Sequence, residues 1–115
     1  MPKPRVDRRL AGAALLFAAL GDPTRLALLD RLSHGGPASI TTLADRFALT
    51  RQGISKHLRV LAAAGAIEGE RLGREHVWAI NQARLAEARA RIELIAQGWD
   101  SALARLRAHV ERNRV

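Results

Sequence analysis

Residues 41–80 read TTLADRFALTRQGISKHLRVLAAAGAIEGERLGREHVWAI, two helical periods followed by an alternating stretch. A short extended piece around Ala38 to Ile40 leads to Thr41, an N-cap candidate for a brief helix carrying Leu43, Ala44 and Phe47. Thr50 heads a second helix that runs to about Ala64, with Ile54, Leu58 and Leu61 on one face, and Gly65 stops it. From Ala66 to Ile80 the texture changes to alternation about Gly73, where a hairpin turns. This hairpin is the only sheet the sequence predicts.

The second helix has a polar face of one kind. No acidic residue lies between Asp45 and Glu68, whereas Arg46, Arg51, Lys56 and Arg59 are all basic. At about 100° per residue, Ile54, Leu58 and Leu61 define the buried side. Gln52, Ser55, Lys56 and Arg59 then fall between about 100° and 200° from Ile54, and Arg51 lies in the first turn, free to swing outward. These are donors to phosphate oxygens and base edges. A short helix, a turn and a second helix with such a face form a helix-turn-helix over about 41–64, its second helix suited to the major groove. A lone basic helix is as often an ordinary solvated surface. The hairpin that follows shifts the balance: Glu70-Arg71-Leu72-Gly73-Arg74-Glu75 places two arginines at the tip of a wing over about 66–80, where contacts to flanking phosphates position a protein without specifying sequence.

Outward from this core, Leu10, Ala13, Ala14, Phe17 and Leu20 recur at helical spacing over about 8–20, and Gly21 ends the period. Asp22-Pro23 supplies an N-cap and a proline at the first helical position for a helix to about His34, which Gly35-Gly36-Pro37 breaks. Beyond Asn81 helix resumes over about 81–112. Its residues Leu85, Ala88, Ile92, Ile95, Trp99, Ala102 and Leu106 hold a three-to-four spacing, the seam of a coiled-coil-like pairing. A helix of that length on so small a domain needs a partner over its stripe. The expectation is a homodimer through the helix at about 81–112, with Leu85, Ile92, Ile95, Trp99 and Leu106 in the interface, and Trp78 in the core.

Whole-chain properties bound the answer. The 115 residues suit one mainly helical domain, and 48% apolar content supplies a core. With no cysteine, disulfides, thiolate metal sites and cysteine nucleophiles are excluded. A net charge of +8 spread along the chain favours polyanions, while 3% aromatic residues disfavour single-strand binding on stacked bases. Duplex DNA is the expected partner. Neither a signal peptide nor an apolar run near the 20 or so residues of a membrane span is present, which predicts a soluble cytoplasmic protein without a membrane partner. No catalytic residue or cofactor is expected either, since glycine-rich phosphate loops and paired carboxylates at useful spacing are missing.

Three linked signatures, Leu20-Gly21-Asp22-Pro23-Thr24-Arg25, Ser55-Lys56-His57-Leu58-Arg59-Val60-Leu61 and the wing from Gly65 to Ala79, resemble the ArsR/SmtB family of winged-helix transcriptional repressors over residues 10–80. The resemblance implies a homodimer that pairs through its first and last helices, about 8–20 and 81–112, which adds Leu10 and Phe17 to the interface, and that occupies an operator of two-fold pseudo-symmetry. Arg51, Gln52, Ser55, Lys56 and Arg59 would face the major groove, with Arg71 and Arg74 on the wing. It also implies where metal sensors of the family hold metal. Ser39 and Thr41 stand where cysteines would, and Asp100, His109 and Glu111 on the last helix lack the acid-histidine spacing, so no metal site is expected and the chain is similar to the metal-free branch. Ile95-Ala96-Gln97-Gly98-Trp99 keeps one aromatic of a run common there, and the inducer is left open. His34, His57 and His76 are too scattered to form a constellation. Two alternatives stay open: a metal- or small-molecule-responsive sensor repressor, and a protein-interaction module that uses the last helix.

Overall fold

In the computed structural model, which describes residues 7–114, the chain forms α1 (Arg8–Leu20), α2 (Pro23–Gly35), β1 (Ala38–Ser39), α3 (Ile40–Phe47), α4 (Arg51–Ala63), β2 (Ile67–Leu72), β3 (Glu75–Ile80) and α5 (Gln82–Arg112). Side-chain caps set the helix starts. Asp7 accepts the Leu10 amide at 2.9 Å, Asp22 that of Arg25 at 3.0 Å and Thr50 that of Gly53 at 3.0 Å. Those amide bonds are the main reason the carboxyls of Asp7 and Asp22 are held below the ordinary carboxylate range. Asn81 caps α5 through Arg84 N–H at 3.1 Å. Between α1 and α2, Arg25 Nε donates to the Ala19 carbonyl at 2.6 Å, so the cap and the tight corner at Gly21 form one unit.

Two sequence expectations need correction. The cap of α3 is Ser39, whose Oγ accepts the Thr42 amide at 3.2 Å, whereas Thr41 lies inside the first turn with an exposed side chain. The sheet has three strands in the order β1-β3-β2, because Ala38 and Ser39 pair antiparallel with Trp78 and Val77. The extended piece expected about Ala38 to Ile40 is there as far as Ser39, but its pairing was not expected, since two residues are too few to show alternation. In the hairpin itself Ile67 pairs with Ile80 and Leu72 with Glu75, and the two-residue loop has positive φ (63°) at Gly73 alone, as a type II′ turn requires at its first central position.

The core is built mainly of helix. Leu16 and Ala19 of α1, Leu28, Leu29 and Leu32 of α2, Leu43 and Ala44 of α3, and Ile54, Leu58 and Leu61 of α4 meet Ile67 and Trp78 of the sheet. Each large aliphatic among them contributes about 1.5–3 kcal/mol by leaving water. α5 joins this core only at its start, through Ala88 and the half-buried Leu85. Beyond Arg91 every described residue of it is exposed. At 1.5 Å per residue its 31 residues span roughly 46 Å, which accounts for much of the 71 Å length of the molecule. No single helix among the described residues is long and apolar enough to cross a membrane.

The wing contains a close contact that fixes one residue type. His76 and Trp78 stack with ring centroids 4.5 Å apart and planes 18° from parallel, and they lie across Gly69 of the neighbouring strand. A Cβ at Gly69 would fall on His76 Nε2 and come within 2.9 Å of the buried Trp78 ring. Gly69→Ala is therefore expected to displace the stack and cost about 1–3 kcal/mol. Thermal unfolding followed by tryptophan fluorescence checks this, and an unchanged midpoint with unchanged emission would refute the packing.

Candidate nucleic-acid interface

α4 sits with its apolar face buried: Ile54, Leu58 and Leu61 are each 0% exposed. That burial fixes the rotation of the helix and turns Arg51, Gln52, Lys56 and Arg59 out to solvent, with Ser55 half-buried at the margin. The three-residue turn before it, Ala48-Leu49-Thr50, begins with Ala48 in the left-handed region (φ 51°, ψ 36°), its amide bonded to the Ala44 carbonyl. This closes α3 sharply and lets Thr50 start α4. Arg59 Nε reaches only the Ser55 carbonyl, at 3.5 Å. No carboxylate among the described residues pairs with Arg51, Lys56, Arg59, Arg71 or Arg74. Five cations and two neutral hydrogen-bonding groups therefore stand available, with no carboxylate among the described residues to be displaced from the cations.

His57 behaves differently from its neighbours. It is half-buried and its Nδ1 lies 3.9 Å from Asp22 Oδ2, so it turns back toward the start of α2. Asp22 thus caps one helix and faces a second. The wing follows from the end of α4: the Ala66 amide donates to the Leu61 carbonyl at 3.0 Å, and the Asn81 amide to the Ala66 carbonyl at 3.0 Å. Asn81 Nδ2 also reaches Glu68 at 3.1 Å. These bonds set both ends of the hairpin against the helix that precedes it. At the far end Arg71 stands opposite His76 and Arg74 occupies the loop, both exposed.

One residue of structural consequence escaped the sequence reading. Arg84, 26% exposed in its side chain, donates to the Gly12 carbonyl of α1 at 2.7 Å, to the Ala64 carbonyl at the C-cap of α4 at 3.4 Å, and to Glu87 at 3.2 Å. It joins the first helix, the last helix and the end of α4 in a single side chain. The fit is close at Gly12, where a Cβ would come within 2.9 Å of the guanidinium. Its partners are 72 and 20 residues away in sequence, so no local pattern marks it.

The residues expected at a subunit interface divide into two groups. Leu10, Ile92, Ile95, Trp99 and Leu106 are exposed, Trp99 at 66%, while Phe17 and Leu85 pack half-buried against the chain's own core. Trp78 is buried. At the positions where metal sensors of the family hold metal, Ser39 is committed to its cap, Thr41, Asp100 and Glu111 are exposed, and His109 lies beside Asn113. Among the described residues no three His, Asp or Glu side chains converge.

Known proteins share this arrangement. A helix-turn-helix domain model matches residues 20–70. The chain is 38% identical over 90 residues to YuzN, an uncharacterized HTH-type transcriptional regulator of Bacillus subtilis, covering 73% of this chain and 90% of the relative. To the HTH-type transcriptional repressor SmtB of Mycobacterium tuberculosis it is 33% identical over 85 residues, 74% of this chain and 62% of that one. In structure it is similar to an ArsR-like transcriptional regulator from Rhodococcus sp. RHA1, with TM-score 0.75 and 37% identity over 85% of this chain and 92% of the other.

Proposed function

This chain belongs to the ArsR/SmtB family of helix-turn-helix transcriptional regulators, and from that membership we propose that it acts as a homodimeric repressor on a two-fold pseudo-symmetric operator. As a family member it is a DNA-binding regulator of transcription. The finer reading concerns how it reads and blocks its site. Gln52 and Ser55, with Arg51, address base edges in the major groove, while Lys56, Arg59 and the wing residues Arg71 and Arg74 hold phosphates. The observation that carries this is the set of exposed cations on α4 and the wing, none with a carboxylate partner among the described residues. Repression follows from occupancy: a protein seated over a promoter excludes polymerase without any catalytic step. Such a regulator works in the cytoplasm, beside the chromosome.

Pairing through α5 supports the dimer. At about 100° per residue, Ile92, Ile95, Trp99 and Leu106 continue the face on which Leu85 and Ala88 meet the core. These four side chains are 52–66% exposed in the single chain. A contiguous apolar stripe of that kind marks an interface, and a second copy meets it with an identical stripe.

Base and phosphate contacts separate experimentally. Lys56→Ala or Arg59→Ala is expected to weaken binding to every duplex and to lower the slope of log affinity against log salt by about one unit per subunit. Gln52→Ala should leave that slope alone and relax preference at one base position. Fluorescence anisotropy with an operator selected from genomic fragments measures both. An unchanged salt slope in both basic variants would remove α4 as the reading helix.

A further inference from the structure

The two faces of the wing carry opposite charge. Gly69 and Trp78, and one step further out Arg71 and His76, pair on one face of the ribbon, whereas Glu68, Glu70 and Glu75 lie on the other. At its base the first face is buried through Ile67 and Trp78 in the same core that seats α4. Past the edge of that core it is open, and its last pair, Arg71 and His76, is exposed. The three carboxylates thus sit on the face turned away from the core and α4, and the cations of the ribbon sit on the face turned toward them.

His76 is held ready on this face. Its ring stacks on Trp78 with centroids 4.5 Å apart, and Gly69 leaves open the place where it lies, since a Cβ there would fall on His76 Nε2. An indole face within about 6 Å favours a cation, and a ring already fixed loses little freedom when a ligand arrives. No carboxylate among the described residues lies within ion-pair distance of it. Of the elements packed against β3, β1 has no titratable side chain, and β2 sets Arg71 opposite His76 while Glu68 and Glu70 occupy the other face, as does Glu75 of β3 itself. α3 brings Asp45 and Arg46, which are exposed; α2 brings Arg31, bonded to the Gly36 carbonyl, and His34, beside Asp30. Arg71 and a protonated His76 directly opposite one another repel, until an anion joins them.

We infer that His76, in its protonated form, is a third phosphate-binding group of the wing beside Arg71 and Arg74, and that the protein holds its operator more tightly as pH falls. A phosphate set against Arg71 and His76 turns two repelling cations into two charge-assisted contacts. Binding therefore favours the charged imidazole, and by linkage the charged imidazole favours binding. Imidazole is the side chain whose charge ordinarily changes between about pH 5 and 8, so the contact is present at the acid end of that range and lost at the alkaline end. The inference rests on the reading of the wing as a phosphate-contacting element given above.

Fluorescence anisotropy with an operator selected from genomic fragments tests this at fixed salt from about pH 5.5 to about pH 8. The carboxyl caps of α1 and α2 stay ionised throughout, since Asp7 and Asp22 are held below the ordinary carboxylate range. Wild-type affinity is expected to fall roughly five- to ten-fold across the window, and His76→Gln to bind as weakly at its acid end as the wild type does at its alkaline end. At the acid end the variant's slope of log affinity against log salt should be smaller by about one unit per subunit, and at the alkaline end the two slopes should coincide. Equal affinity there also shows that the wing of the variant is intact. His76→Arg, with a permanent charge, should keep the acid-end affinity across the window. Three results would overturn the contact: a wild-type affinity independent of pH, a pH response that survives in His76→Gln, or an equal loss in that variant at both ends, the mark of a merely structural stack. The Arg71→Ala, Arg74→Ala double variant separates the underlying reading. An unchanged salt slope in it at the alkaline end removes the wing from the DNA and this contact with it, whereas a lowered slope beside a silent His76→Gln overturns His76 alone.

Discussion

Replacing Ile95 and Trp99 together by aspartate is expected to give a folded monomer whose affinity for a full operator falls by about two to four orders of magnitude. Both side chains are exposed in the single chain, at 62% and 66%, and the only buried residue of α5 is Ala88, two turns earlier. The double substitution therefore leaves the protomer's core intact. In a seam of two apolar stripes the new carboxylates of one copy would be set among the apolar side chains of the other, desolvated and without a cation opposite, which the apolar contact cannot offset. The loss on DNA is one of avidity: joining two reading heads makes the second engagement intramolecular, worth roughly 10² to 10⁴ in affinity. Sedimentation velocity reads the oligomeric state, circular dichroism the fold, and anisotropy the binding. Half-site affinity should be nearly unchanged while full-operator affinity collapses, and a variant that remains a dimer would place the seam elsewhere.

Leu58→Ala should have the largest effect on stability. Leu58 is 0% exposed at the centre of the cluster that seats α4. Truncating a leucine so placed removes its transfer free energy and leaves a cavity, together about 2.7–5 kcal/mol, against a total stability of about 5–15 kcal/mol for a domain. At about 4–8 °C per kcal/mol for a small domain, the melting temperature should fall by more than 10 °C. Val60→Ala on the same helix is the control. At 42% exposure it should stay within about 0.5 kcal/mol of the parent. Equal losses at the two positions would mean that the apolar face of α4 had been assigned to the wrong side.

The helices were legible because their starts are written in local chemistry. Asp22-Pro23 and Thr50 both cap as side-chain acceptors do, and the spacing of Ile54, Leu58 and Leu61 marks which side of α4 faces solvent. Gly73 likewise marked the wing turn, because only glycine takes positive φ there without strain. What escaped depends on contacts distant in sequence. The extended piece at Ala38 and Ser39 was legible, but it joins the sheet only because those residues meet Trp78 and Val77, some 40 positions on. Thr41 and Ser39 are equally good cap residues, and the pairing of Ser39 in the sheet decides between them by setting its extended backbone (φ −80°, ψ 164°). Phe17 and Leu85 carry the spacing of an interface stripe, yet each turns toward the chain's own core, since periodicity identifies an apolar face without saying which neighbour covers it. Arg84 is the clearest case: a single arginine in an arginine-rich helix, distinguished only by the three carbonyl and carboxylate partners that the fold brings to it.

α5 runs 31 residues without a proline, and only Gly98 interrupts its run of side-chain-bearing positions. In the proposed dimer such a rod behaves as a caliper. Two heads fixed to paired struts cannot rotate about one another to follow a displaced target. Half-sites one helical repeat of DNA apart, about 34–36 Å, present the same face to both heads, whereas half a repeat more turns one site to the far side of the duplex. Operator spacing is thereby gauged by the stiffness of a helix that touches no base, and a promoter escapes control by gaining a few base pairs between half-sites whose sequences are intact.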